Sequence, residues 1–317
     1  MNGGGIKSSI VVLLALIIAG MTLWKGAQYA SSITFKSTFL PKKENPQISI
    51  LIVGDIMLDR NVRNKINMNG FDAFFAGVRD LISEADIAVG NLEGPFTPYE
   101  SITASLKNKA LQFTFDPTLA LELSALGFDI LGLANNHTLN FGIRGLQMTR
   151  EYIHNAGMLY YGEPDNRIEI SVVTEKNGIT VGLIGFHEFS YINFDKVMAE
   201  IERLRPGVDV LIVTPHWGPE YESEPTEKMK KWAREFIDRG ADAVIGTHPH
   251  VAGAIEEYGG RKIYYSLGNF AFDQYFSEET SIGLYVIMNI EKEKKKMGIS
   301  YETGIINIGR DGITISP

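Results

Sequence analysis

The chain has 317 residues, of which 44% are hydrophobic and 21% are charged, and this ordinary globular composition excludes a disordered chain. The formal net charge of −8 argues against nucleic acid as a general partner, because binding to phosphates requires a basic surface. The chain contains no cysteine, so disulfides, thiolate metal sites and cysteine nucleophiles are excluded.

The N-terminal segment is apolar. Residues 10–24 carry no charge and follow the single Lys7. The run is long for the core of a signal peptide and short for a membrane span. A retained membrane anchor over residues 1–24 is favoured because the residues that follow form a poor cleavage site, while a cleaved signal segment and a buried soluble helix remain alternatives. The lysines after the run oppose the positive-inside expectation and do not settle an orientation.

The remaining residues are predicted to form a linker and one α/β domain. Residues 25–46 are polar and end in a proline-containing segment, which is typical of a linker. From residue 47 to residue 317, short β-branched apolar runs end in polar residues, and a helical pattern usually follows. Such near-continuous apolar runs predict strands that are buried on both faces. The predicted strands are 48–53, 87–89, 130–133, 180–184, 208–213, 243–245 and 262–265.

Two of the predicted helices have readable ends. Asp116 and Pro117 form an N-cap and a first turn, and Gly127 ends that helix. A second helix is predicted over residues 226–239, with Gly240 as its stop. After residue 281 the pattern changes to strands and turns, and the charged residues 291–296 are predicted to form a solvated hairpin tip.

Polar side chains follow the predicted strands at the point where each strand ends. In an open α/β sheet the ligand site lies beyond the carboxyl ends of the strands, so these endings are expected to converge on one place. Glycines beside them allow sharp turns and close approach to a ligand. The endings are Gly54-Asp55, Gly90-Asn91-Leu92-Glu93, Asn135-Asn136-His137, Pro215-His216-Trp217-Gly218, Thr247-His248-Pro249-His250 and Gly268-Asn269-Phe270.

The residue types at these endings favour a divalent metal ion. Carboxylates, carboxamides and imidazoles suit Mn, Zn, Fe or Mg, one ion or two. His248 and His250, one residue apart, are expected to point to the same side of an extended segment. Each ending also has a plainer interpretation, as a helix cap, a turn residue, an arginine partner or a buried histidine. Of the other histidines, His154 is expected to be structural, and His187 is expected to be structural or to line the cleft.

The endings also carry a resemblance to a known family. The matching text is Gly54-Asp55-Ile56-Met57, Asn91-Leu92-Glu93-Gly94-Pro95, Ala134-Asn135-Asn136-His137, His216-Trp217-Gly218-Pro219-Glu220-Tyr221, His248-Pro249-His250-Val251 and Tyr265-Ser266-Leu267-Gly268-Asn269-Phe270. In this order it resembles the poly-γ-glutamate capsule biosynthesis (CapA/PgsA) family, which is related to calcineurin-like metallophosphoesterases. The resemblance implies a four-layer αββα sandwich of metallophosphoesterase type behind an N-terminal transmembrane helix, with the domain outside the cytoplasm and anchored to the cell membrane.

The resemblance also implies roles for individual residues. His137 matches the histidine that protonates the leaving group in phosphoesterases. Two asparagines are expected at the cleft rim as substrate contacts, Asn135 and Asn269, and Arg60 is either an anion contact or a surface arginine. The implied metal ligands are Asp55, Glu93, Asn136, His216, His248 and His250.

Three departures from the family pattern affect these expectations. Met57 stands where phosphoesterases commonly have a histidine ligand, and Glu93 lies where a bridging aspartate is expected, so a full two-metal site is in question. Asn140 stands where the family often has an aspartate, which would weaken the acid role of His137 if that aspartate orients the histidine.

The functional hypotheses are then three. The first is a capsule factor that hydrolyses, transfers or exports poly-γ-glutamate with metal-assisted amide or phosphoester chemistry, together with synthase subunits. The second is a secreted metallophosphoesterase with another substrate. The third is a non-catalytic subunit of a membrane synthase complex that binds the polymer. The acidic net charge disfavours direct capture of an anionic polymer unless cations bridge the two.

Overall fold

Strands and helices alternate along the chain from Gln47 onward. The computed structural model describes residues 45–104, 111–162, 164, 169–189, 194–294 and 296–316. The strands of these residues are β1 (Gln47–Ile56), β2 (Ile87–Leu92), β3 (Ile130–Gly132), β4 (Leu159–Tyr161), β5 (Ser171–Lys176), β6 (Ile179–His187), β7 (Val210–His216), β8 (Ala243–Ile245), β9 (Ile255–Tyr258), β10 (Arg261–Tyr264), β11 (Asn269–Ala271), β12 (Ile282–Glu293), β13 (Lys296–Gly309) and β14 (Gly312–Ile315). Each predicted strand overlaps one of them.

The helices lie mainly between parallel strands. They are α1 (Arg60–Asn69), α2 (Phe71–Phe75), α3 (Arg79–Ser83), α4 (Thr118–Leu126), α5 (Gly142–Asn155), α6 (Phe194–Leu204) and α7 (Glu227–Arg239). The predicted stop of α4 is confirmed, because Gly127 closes the helix with φ 118°. The helix begins at Thr118, one residue later than predicted, and Asp116 accepts the Thr118 N–H at 2.9 Å. Thr226 caps α7 by accepting the Met229 N–H, and Gly240 follows its last residue.

The strands form two sheets. In the first sheet the order is β14-β13-β12-β1-β2-β3-β4, and β11 also pairs with β1. The second sheet has the order β5-β6-β7-β8-β10-β9. The predicted charged hairpin is the β12–β13 turn, where Glu293 pairs with Lys296. Strands β1 to β4 and strands β6, β7, β8 and β10 run parallel within their sheets, so the carboxyl ends of each set lie at one edge.

The alternation of side chains along β1 shows how the layers are arranged. Ile50 and Ile52 belong to a buried cluster with Val181, Leu183 and other residues of the second sheet. Leu51 and Val53 instead pack with side chains of α1 to α5. A third cluster joins the other face of the second sheet to α6 and α7. Strands that are buried on both faces explain the near-continuous apolar runs, and the chain folds as an α/β sandwich.

Gly54 allows β1 to approach β11 closely just before the first polar strand ending. A Cβ atom on Gly54 would lie 1.9 Å from the Gly268 carbonyl oxygen, so no larger residue fits. The Asp55 N–H donates to that same oxygen at 3.1 Å, and Asp55 is in register with Asn269. The glycine therefore brings the end of β1 beside the start of β11.

The segment predicted to be a membrane anchor lies outside the described residues. Within those residues, no helix is long and apolar enough to span a membrane. Asn45–Pro317 form one compact unit. The division into an anchor, a linker and a domain at residues 24 and 46 stays a prediction.

Candidate metal centre

Three buried side chains bring their donor atoms together at the carboxyl ends of β1 and β2. Ligand atoms of Asp55, Glu93 and His250 all lie within 4.8 Å of one another. His250 Nδ1 is 3.3 Å from Asp55 Oδ2, and His250 Nε2 is 3.7 Å from Glu93 Oε1. Ligands held at about 2.0–2.2 Å from a common ion lie about 3–4 Å from one another. A histidine offers one nitrogen to an ion, and the 3.7 Å between His250 Nε2 and Glu93 Oε1 suits two ligands of a shared metal ion.

Glu93 is the clearest sign of an ion at this place. Its side chain is 0% exposed, and neither carboxylate oxygen accepts a hydrogen bond from the residues that the structure describes. Burial, followed by the neighbouring Asp55 carboxylate, raises the pKa of Glu93 well above its usual value. A buried carboxylate without donors is costly to the fold, and a bound cation would remove that cost.

A second group of donors lies beside the first. His216 Nε2 is 2.9 Å from Asn136 Oδ1 and 3.1 Å from His248 Nδ1. The two groups are directly connected, because the backbone N–H of His248 donates to Asp55 Oδ2 at 3.2 Å. The structure thus brings together all six residues that the resemblance implied as ligands, in two adjacent sets of three. Their role as metal ligands stays a prediction.

The backbone that carries His248 and His250 differs from the expected extended segment. His248 has φ 100° and His250 has φ 60°, so both residues are left-handed. Their imidazole ring centroids are 5.8 Å apart. The period-two argument for these two residues is therefore wrong, although both rings reach the donor groups. Left-handed backbone at residues with a Cβ is strained, and such strain concentrates at functional sites.

His137 lies at the edge of the first group with its Nδ1 held by Asn140. Its Nε2 is 3.8 Å from Glu93 Oε1, and its ring centroid is 4.4 Å from that of Phe113. Asn140 Oδ1 accepts the Phe113 N–H at 2.6 Å and lies 3.1 Å from His137 Nδ1. Because this oxygen can only accept, the ring hydrogen of neutral His137 lies on Nδ1. The Nε2 lone pair then points toward the first donor group, on the side of Glu93. Burial lowers the pKa of His137.

The two asparagines expected at the rim lie inside the protein. Asn135 is 1% exposed, and its Nδ2 donates to Asn91 Oδ1 and to the Leu92 carbonyl. Asn269 is 0% exposed, and its amide is bonded within the protein. The expected rim position is therefore wrong for both, because Asn135 is bonded to the end of β2 and Asn269 to buried loop carbonyls. Their substrate-binding role stays a prediction.

Arg60 and His137 both contact the ring of Phe113. Arg60 begins α1 with φ 53°, and its Nη2 is 3.2 Å from Asp273 Oδ1. Its guanidinium carbon is 5.9 Å from the centroid of the Phe113 ring, which contacts His137. The guanidinium is therefore held near the donor groups, and its contact with an anionic substrate stays a prediction.

Sequence reasoning did not single out Asn91. Its Nδ2 donates to Asp55 Oδ1 at 2.7 Å and lies 3.3 Å from His216 Nδ1, so it joins the two donor groups. Asn91 precedes Glu93 by two residues, and this spacing on a strand is a signal that could have identified it. The contact of Phe113 with His137 could not be identified in this way, because Phe113 does not belong to a polar strand ending.

Met57 does not replace the missing histidine ligand. Its side chain packs in the core between the first sheet and its helices, and its Sδ accepts the Asp59 N–H at 3.2 Å. Among the other histidines, His154 is exposed on α5. His187 is buried at the end of β6 with its ring centroid 6.1 Å from that of His216. Neither belongs to the two donor groups.

Two of the buried histidines, His216 and His248, are held in their neutral form in the absence of metal. Burial is the largest cause that lowers the pKa of His248 from 6.5 to about 3, and the charge of His250 is the second. Burial and the charge of His248 likewise lower the pKa of His216 well below its usual value. Neutral imidazoles are the form that binds metal ions.

We expect acid to destabilise the metal-free protein through His248. Near pH 5 the unfolded chain protonates this histidine and the folded chain does not, so stability falls as the pH drops below 6.5. The contribution at that pH is about 2 kcal/mol. Urea unfolding with a chelator, at about pH 7 and pH 5, should show the loss in the wild type and a smaller loss in His248→Asn. The exposed His154→Asn should behave as the wild type, and an equal acid loss in all three proteins would contradict the assignment.

Comparison with known proteins places the chain among capsule synthesis proteins. The family model described as bacterial capsule synthesis protein PGA_cap matches residues 49–274. The capsule biosynthesis protein CapA of Bacillus anthracis is 29% identical over 252 residues, 73% of this chain and 61% of that protein. The PGA biosynthesis protein CapA of Bacillus subtilis is 31% identical over 271 residues, 76% of this chain and 70% of that protein.

The chain also has weaker similarities to other proteins. A probable polyglutamine synthesis accessory protein of Mycobacterium tuberculosis is 27% identical over 216 residues, 59% of this chain and 56% of that protein. The crystal structure of a hypothetical protein from Thermus thermophilus has a TM-score of 0.49 at 15% identity, over 81% of this chain and 98% of that one. The chain spans less than two thirds of the Bacillus anthracis relative. The family model covers the strands that carry both donor groups, and the chain belongs to the bacterial capsule synthesis protein PGA_cap family.

Proposed function

We propose that this protein acts in poly-γ-glutamate capsule biosynthesis as a metal-dependent hydrolase or transferase of γ-glutamyl or phosphoester bonds. The observation that carries the proposal is Glu93, a fully buried carboxylate that faces Asp55 and His250 without a hydrogen-bond donor among the described residues. Such a group is expected where a cation is bound. The fold proposed with it is the four-layer αββα sandwich of metallophosphoesterase type.

The donor atoms fit a divalent ion of the hard or borderline class. The first group offers two carboxylates and an imidazole, and the second offers two imidazoles and a carboxamide oxygen. Mn, Zn, Fe and Mg all accept subsets of these ligands. The first group would hold one ion, and the second would hold another where two are bound.

The chemistry follows from the residues around the donors. A bound divalent ion would supply Lewis acidity and an activated water at neutral pH. His137 presents Nε2 toward the first group, and in its protonated form it would donate the Nε2 proton to a leaving group there and become neutral. Arg60, held by Asp273, would pair with a carboxylate or phosphate of the substrate.

The names of the relatives support a capsule polymer as the substrate. Two of them are named for capsule or PGA biosynthesis and a third for polyglutamine synthesis. A net charge of −8 opposes direct binding of a polyanion, so cations are proposed to bridge the polymer and the protein. We further propose that the domain lies outside the cytoplasm on a single N-terminal membrane anchor, near the synthase subunits.

We expect metal removal to abolish turnover reversibly. The full-length protein, purified in detergent, is stripped with a chelator and then supplied separately with Mn²⁺, Zn²⁺, Fe²⁺ or Mg²⁺. γ-Glutamyl polymer and a generic phosphoester are assayed in parallel. Restored cleavage or transfer of the polymer by one of these ions supports the proposal. Phosphoester turnover alone would indicate a phosphoesterase of another substrate. Polymer binding without turnover of either would indicate a non-catalytic subunit.

A further inference from the structure

Asn269 has an amide orientation that its surroundings determine completely. Its Nδ2 lies 3.2 Å from the His250 carbonyl oxygen, 3.0 Å from the Thr280 carbonyl oxygen and 3.2 Å from Gln274 Oε1. The two backbone carbonyls can only accept, so the opposite orientation would place the Asn269 oxygen against two carbonyl oxygens. Asn269 Oδ1 therefore points the other way, toward His250.

The hydrogen on the His250 ring is assigned by the same contacts. Nδ1 of His250 lies 2.9 Å from Asn269 Oδ1 and 3.3 Å from Asp55 Oδ2. Both neighbours are acceptors, so the neutral ring carries its hydrogen on Nδ1 and its lone pair on Nε2. The hydrogen bond of Nδ1 is made to Asn269 Oδ1, whereas Asp55 Oδ2 lies at ion-pair distance without a hydrogen bond to it. The Nε2 atom lies 3.7 Å from Glu93 Oε1, on the side of the first donor group.

We propose that Asn269 is a positioning residue that sets the tautomer and the ring orientation of His250, so that Nε2 faces the metal ion. The inference rests on the proposed function, in which His250 is a ligand. The fold supplies the reason for this placement, because β11 runs parallel to β1 and places Asn269 in register with Asp55. A metal-binding histidine whose other nitrogen donates to an amide or carboxylate oxygen is held in one orientation before the ion arrives.

The position of Asn269 is itself held by the buried Gln274 side chain. Gln274 accepts from Asn269 through Oε1 and donates through Nε2 to the Tyr221 hydroxyl at 3.3 Å. Gln274→Leu would remove one of the three acceptors of Nδ2 and leave the two backbone carbonyls. Asn269 Oδ1 would still face His250 Nδ1 in that variant. Gln274→Leu is therefore a matched control, because it alters the same buried network without removing the oxygen that holds the ring.

The tautomer can be read directly by NMR of the ring nitrogens. The full-length, metal-free protein is labelled with ¹⁵N-histidine, and the His250 signals are assigned by their loss in His250→Gln. We expect the Nδ1–H form in the wild type and in Gln274→Leu. In Asn269→Ala we expect a mixture of tautomers or exchange-broadened signals. Titration with Mn²⁺ alone should show affinity about 10–100-fold weaker in Asn269→Ala and little changed in Gln274→Leu.

Two results would overturn the proposal. One is an Nε2–H tautomer in the wild type, a result that does not depend on the folding of Asn269→Ala. The other is an Asn269→Ala protein that keeps a single Nδ1–H form at His250, whatever its affinity for Mn²⁺. If the wild type does not bind Mn²⁺ or turn over substrate, the proposed function fails separately, and the tautomer measurement still decides what Asn269 does.

Discussion

Glu93→Gln is expected to stabilise the metal-free protein and to remove most of its affinity for a divalent cation. The substitution keeps the size of the side chain and removes a charge that is buried beside Asp55 without a hydrogen-bond donor among the described residues. We expect the free energy of unfolding without metal to rise by about 1–3 kcal/mol near pH 8. We expect metal-dependent turnover to fall by more than about 100-fold. Removing a metal ligand should cost more than removing a residue that only hydrogen-bonds to a ligand, which costs about 10–100-fold.

The pH dependence of this gain has a definite sign. The pKa of Glu93 is raised on folding, so the folded protein binds the proton more tightly than the unfolded chain does. The wild type therefore loses stability as the pH rises above 4.5 toward the raised pKa, and Glu93→Gln does not. The gain should be small near pH 4 and should grow toward pH 8.

Urea unfolding with a chelator measures the stability, and titration with Mn²⁺ measures the affinity. The exposed Glu122→Gln on α4 is the matched control and should change neither quantity. Loss of stability together with retained affinity in Glu93→Gln would show that the carboxylate is a structural group and not a ligand. Opposite changes in the two quantities separate a site built for an ion from an ordinary buried acid.

The fold was largely predictable because its strands are buried on both faces. Ile50 and Ile52 contact one layer while Leu51 and Val53 contact another, so the whole run is apolar and easily read. Helix stops were predictable where a glycine decides them, as at Gly127. The order of strands in the two sheets was not predictable, because it depends on pairings between distant segments, such as that of β1 with β11.

The convergence of the polar strand endings was predictable from the same logic, since parallel strands bring their endings to one edge. The choice of six candidate ligands among them came from the family resemblance. The positions of Asn135 and Asn269 were not predictable, because residue type does not distinguish an amide that contacts a substrate from one that is bonded within the protein. The left-handed backbone at His248 and His250 was also missed. Nothing in two histidines one residue apart separates an extended segment from a strained turn.

His137→Ala is expected to reduce turnover by about 10²–10⁴-fold, the usual contribution of a positioned acid or base. The size of the loss should depend on the leaving group. An aryl phosphoester departs without much protonation, whereas an alkyl phosphoester or the amine of a γ-glutamyl amide requires a proton as the bond breaks. The variant should therefore lose far more activity toward the poor leaving groups. Affinity for Mn²⁺ should stay close to that of the wild type.

Parallel assays with the two kinds of substrate test this role, with the exposed His154→Ala as the matched control. The geometry gives the expectation a specific reason. Asn140 Oδ1 also accepts the Phe113 N–H, which fixes it as an acceptor for His137 Nδ1 and leaves Nε2 as the only ring nitrogen that faces the donors. An asparagine can therefore orient the ring as an aspartate would, although it does not add a charge that favours protonation. Equal losses toward both leaving groups would mean that His137 positions the substrate or an ion and donates no proton.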